Sequence, residues 1–157
     1  MSTSHSVRRH LRVDIEEYDA SIRRFIPGYE TMLGEAAAAV AASLALHHVR
    51  TLEEKASLFA RIFGALRPGG VFVNADVTLP AEERARGAAW RAWAAHLVAS
   101  GIAEARAWVH FAEWADEDTY FPLEAELGAL ERGGFRARCA WRDRVSTVVV
   151  AVKPNRT

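Results

Sequence analysis

His47 and His48 are adjacent imidazoles, the side-chain type that titrates near neutral pH and can take a proton from a hydroxyl or an amine. They also have a structural use: one ring can cap the helix that starts at Thr51, or pack in the core. Asn74 and Asp76 close an apolar, mostly β-branched run, Val71 to Val77, and open α/β sheets place their ligands at the carboxyl ends of such strands. Turn and cap duty explains these two almost as well. Trp90, Trp93, Trp108 and Trp114 gather four of the five tryptophans in one region, with His96 and His110. Aromatic walls can shape a pocket for a small acceptor, while helical spacing equally suits core packing. His96 and His110 lie 14 residues apart without an acid or a cysteine at ligand spacing, so the sequence points to no metal site. Cys139, the single cysteine, falls in a strand pattern and reads as a small buried apolar group.

The elements that must hold these groups follow from periodicity and punctuation. Residues 1–12 read as a tail. Asp14 to Phe25 places Ile15, Tyr18, Ile22 and Phe25 on one helical face behind an Asp14/Glu17 capping box, and Pro27-Gly28 ends it. A second helix is expected from Tyr29 into the Ala36–Ala42 tract, so that 13–42 form N-terminal helices. Ser43 to Val49 is ambiguous between the end of that helix and a short strand with its loop. Thr51 and Glu54 form a further capping box, Leu52, Ala56, Phe59, Phe63 and Leu66 trace an apolar stripe, and Arg67-Pro68-Gly69-Gly70 stops the helix ahead of the Val71–Val77 strand. From Pro80, where a helix is expected to start, residues 80–121 read as a helical cover broken at Gly101. The Asp116-Glu117-Asp118 stretch reads as a solvated loop. Pro122 opens another helix, Gly133-Gly134 closes it, and Phe135–Trp141 and Thr147–Val152 make an antiparallel pair around an Asp143-Arg144 turn.

Composition bounds the function. The chain has 157 residues, half of them hydrophobic, with 20 basic and 20 acidic side chains. Zero net charge provides no general field for a nucleic-acid backbone. No apolar run approaches the roughly 20 residues that span a bilayer, and the expectation is a single cytoplasmic α/β domain.

Three segments together resemble the class I S-adenosylmethionine (SAM) dependent methyltransferases. Ala65-Leu66-Arg67-Pro68-Gly69-Gly70-Val71-Phe72-Val73 resembles that family's helix, Pro-Gly-Gly turn and fifth strand; Ser43 to Val49 resembles the end of its fourth strand and the following loop. Leu130-Glu131-Arg132-Gly133-Gly134-Phe135 and Val148 to Pro154 resemble its last helix and closing strand pair. Arg23 to Tyr29 is similar to a segment preceding the cofactor domain in a subgroup that includes the carboxy-SAM synthase of tRNA wobble-uridine modification. The resemblance implies a Rossmann-like fold with a reduced sheet, and His47 and His48 in the loop lining the methyl-transfer site. It implies SAM as cofactor, contacted by Tyr29, Ser43, Leu44, Ala45 and Leu46. Arg24, Asn74, Asp76, Trp90, Trp93 and Trp108 then fall on the acceptor side.

The family's glycine-rich loop has no counterpart. The ten glycines form no Gly-x-Gly, and no acidic residue ends a second strand to hold the ribose. Two βα units and the start of a third, on the order of 60–75 residues, are missing, and the sequence places the gap between about Val40 and Ser43. Two readings follow: methyl transfer to a small-molecule acceptor, or a non-catalytic remnant that pairs its open sheet edge in a homodimer.

Overall fold

The computed structural model describes residues 39–155. The expected helices over 14–25 and 29–38, and with them Arg24, Tyr29 and the Arg23–Tyr29 segment, lie outside the described residues.

The alanine tract departs from expectation. Ala39–Ser43 is a strand, β1, parallel to β2 (Val71–Val77) in an unbroken register from Ala39↔Val71 to Ser43↔Ala75. Alanine's helix preference is worth only tenths of a kcal/mol per residue, and five registered backbone pairs outweigh it.

After β1, Leu46–His48 make a single 3-10 turn, which resolves the ambiguity over Ser43–Val49. Helix α1 (Leu52–Ala65) starts on the expected capping box: the Thr51 hydroxyl accepts from Glu54 N, and the Glu54 carboxylate accepts from Thr51 N. It ends at Ala65 with Leu66 as its C-cap, ahead of Pro68, and Gly69 takes φ 76° to turn the chain into β2. Helices α2 (Glu83–Ala99) and α3 (Glu104–Trp114) form the cover. Helix α2 begins three residues beyond Pro80, because the Glu82 carboxylate caps it by accepting from Arg84 N and Ala85 N. Helix α4 (Leu123–Arg132) runs from Pro122 to Gly133 as expected.

Strands β3 (Arg136–Asp143) and β4 (Ser146–Val152) are antiparallel. The hairpin is longer than its sequence suggests, and its turn is Arg144-Val145, with Arg144 at φ 53°. The four strands lie in the order β1-β2-β4-β3, with only the β1/β2 pair parallel.

One face of this sheet carries the main core. Phe72, Val149 and Ala151 meet Phe59 and Leu66 of α1 and Leu123, Ala129 and Leu130 of α4, with Val40 and Ala42 packed at the margin. Gly133 is where α4 comes closest to α1: a Cβ there would lie 3.0 Å from Phe59 Cβ. Within this apolar layer Lys55 and Glu126 are both buried and form an ion pair, with the Lys55 ammonium over the Phe121 ring. Cys139 packs half-buried against this core, beside a bulge in β3. A second cluster beyond the carboxyl end of β2 joins Val77 and Leu79 to Tyr120 and Val145, with Trp90 and Trp93 packed on it. This cluster anchors the α2–α3 cover over the sheet's carboxyl edge. No described helix is long and apolar enough to cross a membrane.

Candidate active site

Asp76 organises the carboxyl edge. It lies in the last turn of β2's side-chain alternation, on the same buried face as Phe72 and Asn74. Its Oδ2 accepts from the backbone N–H groups of Leu46 and His47, each at 3.0 Å. These are the orphan donors at the start of the 3-10 turn, so Asp76 caps that turn from across the sheet. Its Oδ1 accepts from Val77 N at 2.8 Å and lies 2.6 Å from His47 Nδ1. Every contact is with a donor, the pattern of an ionised carboxylate, and the network therefore assigns a proton to His47 Nδ1.

The other ring nitrogen faces Asp118, whose Oδ1 is 3.7 Å from His47 Nε2 and 3.0 Å from His48 Nδ1. The Tyr120 hydroxyl donates to the other Asp118 oxygen at 2.5 Å. Burial first, and then this bond to Asp118, push the Tyr120 phenol well above its ordinary 10.0, so it remains a donor. The loop bearing Asp118 is tied back by Thr119 N donating to His47 O at 2.7 Å. Asp118 is thus not the solvated residue that its acidic run suggests: its side chain is only 10% exposed.

A cavity of about 380 Å³ opens on this group. Its polar lining is His47, His48 and Asp118, with Glu113 and Glu117 as further carboxylates; its apolar walls are Leu44, Val77, Trp93, Trp114 and Tyr120. The volume suits a small molecule. A neighbouring cavity of about 280 Å³ shares Leu44, Val77 and Trp93 and reaches His96 and Arg144. Leu44 holds φ 47°, unusual for a non-glycine residue, and leaves 63% of its surface exposed between the two cavities.

The structure therefore brings together His47, His48, Leu44, Asp76 and Trp93 from the sequence candidates. Asp76 sits behind His47 as a positioning group and does not line the cavity. Trp90 stacks on Trp93 at 5.4 Å as a second layer. Asn74 is buried on the core side with its Oδ1 unpartnered and borders neither cavity. Trp108 is 42% exposed and lines a separate groove between α2 and α3, so it is not part of this pocket. Ser43 ends β1, and the Ala45-Leu46 backbone leads into the capped turn. Asp118 and Tyr120 are the residues that sequence reasoning passed over. The signal was available in Thr119-Tyr120-Phe121-Pro122: an apolar stretch directly after an acidic run turns the chain inward, and the last acid turns with it.

No protein-family model matches the chain, and no curated protein sequence matches it. Solved structures share its fold. A candidate exported protein from Bordetella parapertussis aligns over 74% of this chain and 38% of its own, with TM-score 0.52 and 20% identity. An O-methyltransferase family protein from Burkholderia thailandensis aligns over 75% and 30%, with TM-score 0.50 and 14% identity. Human N-acetylserotonin methyltransferase, solved in complex with SAM, aligns over 75% and 30%, with TM-score 0.50 and 16% identity. This chain thus spans about a third of the length of these structures. At such identities the likeness is one of fold alone: a mixed α/β, Rossmann-like sheet with flanking helices.

Proposed function

We propose that the chain catalyses SAM-dependent methyl transfer to a small aromatic acceptor, with His47 as the general base. The observation that carries this reading is the His47 Nδ1 to Asp76 Oδ1 contact of 2.6 Å, which leaves Nε2 as the acceptor lone pair facing the cavity. An acceptor hydroxyl seated against Trp93 and Trp114 donates its proton to Nε2. The resulting imidazolium is flanked by Asp76 at Nδ1 and Asp118 at Nε2, which stabilise the charge as it develops. The half-exposed His48 lies beside this ring, centroid to centroid 4.3 Å, and gives the proton a path to solvent.

SAM, when bound, supplies the electrophilic methyl group. The residues that would hold it are Ser43 to Leu46, with the exposed Leu44 side chain as its apolar contact; Tyr29 is proposed from the family resemblance alone. The sequence has no Gly-x-Gly, so contact with the donor rests on this segment in place of a glycine loop. The likeness of Arg23–Tyr29 to the carboxy-SAM synthase subgroup gives a narrower version of the same reading, in RNA modification, to which the neutral charge adds nothing.

The test is transfer of labelled methyl from SAM to a panel of phenolic acceptors, comparing the natural chain with His47→Gln. Acceptor methylation that falls by roughly 100-fold or more in the variant supports the reading; equal rates remove His47 from it.

A second reading is a non-catalytic module that homodimerises through the sheet edge. It is favoured by β1, which pairs with β2 alone among the described residues and exposes Ala39, Ala41 and Ser43. Light scattering at micromolar concentration separates the two, since this module must dimerise and the enzyme need not.

A further inference from the structure

We infer that His47, His48 and Asp118 form a binding site for a divalent cation of the Zn²⁺ class. The inference does not rest on methyl transfer, because it concerns the chain without SAM. Ligand atoms from the three, a ring nitrogen of each histidine and a carboxylate oxygen of Asp118, lie within 4.8 Å of one another. Asp118 Oδ1 is 3.7 Å from His47 Nε2 and 3.0 Å from His48 Nδ1. Bonds of about 2.0–2.2 Å in a tetrahedral zinc site put the donor atoms roughly 3.3–3.5 Å apart, so the two nitrogen–oxygen pairs already lie close to that spacing, and the two imidazoles, within 4.8 Å, close by rotation of the half-exposed His48.

The surroundings of the three ligands have the arrangement that metal sites require. Asp76 accepts from His47 Nδ1, which fixes the ring and directs the Nε2 lone pair outward, giving a carboxylate–histidine–metal relay. Tyr120 donates to the Asp118 oxygen opposite the ligating one and holds that carboxylate in place. The cavity occupies the remaining side, so three protein ligands leave a fourth position open to a small molecule. An ion on Nε2 also removes the lone pair that would act as a base, so metal binding and proton abstraction exclude each other at that atom.

The experiment titrates the full chain, without SAM, with Zn²⁺ in competition with a chromophoric chelator, and with Co²⁺ as a spectroscopic probe. The expected result is one equivalent bound, with four-coordinate Co²⁺ bands and no thiolate charge-transfer band. His48→Ala, at a half-exposed position that tolerates truncation, weakens binding by at least tenfold, and Asp118→Ala does so more strongly; Asp76→Asn costs about 10–100-fold through His47 and the turn that carries both imidazoles. The inference is overturned by an affinity unchanged in His48→Ala and Asp118→Ala, which would put the ion elsewhere, or by no binding at submillimolar Zn²⁺.

Discussion

His47 and Asp76 stand 29 residues apart in the chain, and their Nδ1 and Oδ1 atoms are 2.6 Å apart in the fold. The link joins the loop after β1 to the end of β2, and those two parallel neighbours bring their carboxyl ends to one edge. The same carboxylate caps the 3-10 turn, so the geometry of the candidate base and the stability of the turn share one residue.

Replacing Asp76 by Asn should therefore cost stability as well as chemistry. An amide presents one acceptor oxygen where the carboxylate serves four donors, and its NH₂ would face backbone N–H groups. Urea denaturation is expected to show a loss of about 2–3 kcal/mol. A loss under about 0.5 kcal/mol would mean that the turn does not depend on this cap.

Leu44→Gly separates donor contact from folding. The left-handed backbone at φ 47° suits glycine, so thermal stability should hold or rise by up to about 1 kcal/mol. If the exposed Leu44 side chain contacts SAM, affinity for SAM falls in the same variant. Unchanged SAM affinity would move the donor site away from this segment.

His47→Gln keeps a hydrogen-bonding side chain but removes the base. With acceptor and SAM saturating, kcat is expected to drop roughly 100-fold or more while KM for SAM stays within about twofold. A parallel rise in KM with kcat intact would make His47 a binding group only.

Glu126 gives the chain a pH dependence of known sign. Burial raises its carboxyl above the ordinary 4.5, with the Lys55 ammonium opposing that rise. A carboxyl that holds its proton more tightly when folded contributes stability that is fully present below the unfolded pKa and is lost as pH rises through the folded one. The stability of the natural chain relative to Glu126→Gln should therefore decline as pH rises from about 4.5. Denaturation midpoints measured for both chains across that range check it; a relative stability that climbs would show that the Lys55 pairing outweighs burial.

Local signals made much of the fold legible. The Thr51/Glu54 box, the Pro-Gly-Gly stop, the β-branched run and the Pro122-to-Gly133 helix each carry their own chemistry in a few residues, and each element formed where those residues lie. Residues 39–42 of the alanine tract misled because alanine states a preference too weak to survive pairing with a central strand. Within the site, Asp76 was readable at the end of the Val71–Val77 strand, and the family resemblance alone placed His47 in a loop after a strand. Asp118 was not, because its inward turn is set by Thr119 bonding back to His47 O and by Tyr120 entering the second core cluster, both long-range contacts. Trp108 shared the helical spacing of its neighbours but fell on the outer face of α3, a distinction that periodicity in a short aromatic-rich helix does not make.

The most direct measurement is calorimetric titration of SAM onto the purified full chain. Methyl transfer by this chain predicts saturable heat with one SAM per chain, despite the absence of a Gly-x-Gly loop. No heat at millimolar SAM, from a chain that unfolds cooperatively and is therefore folded, would contradict it.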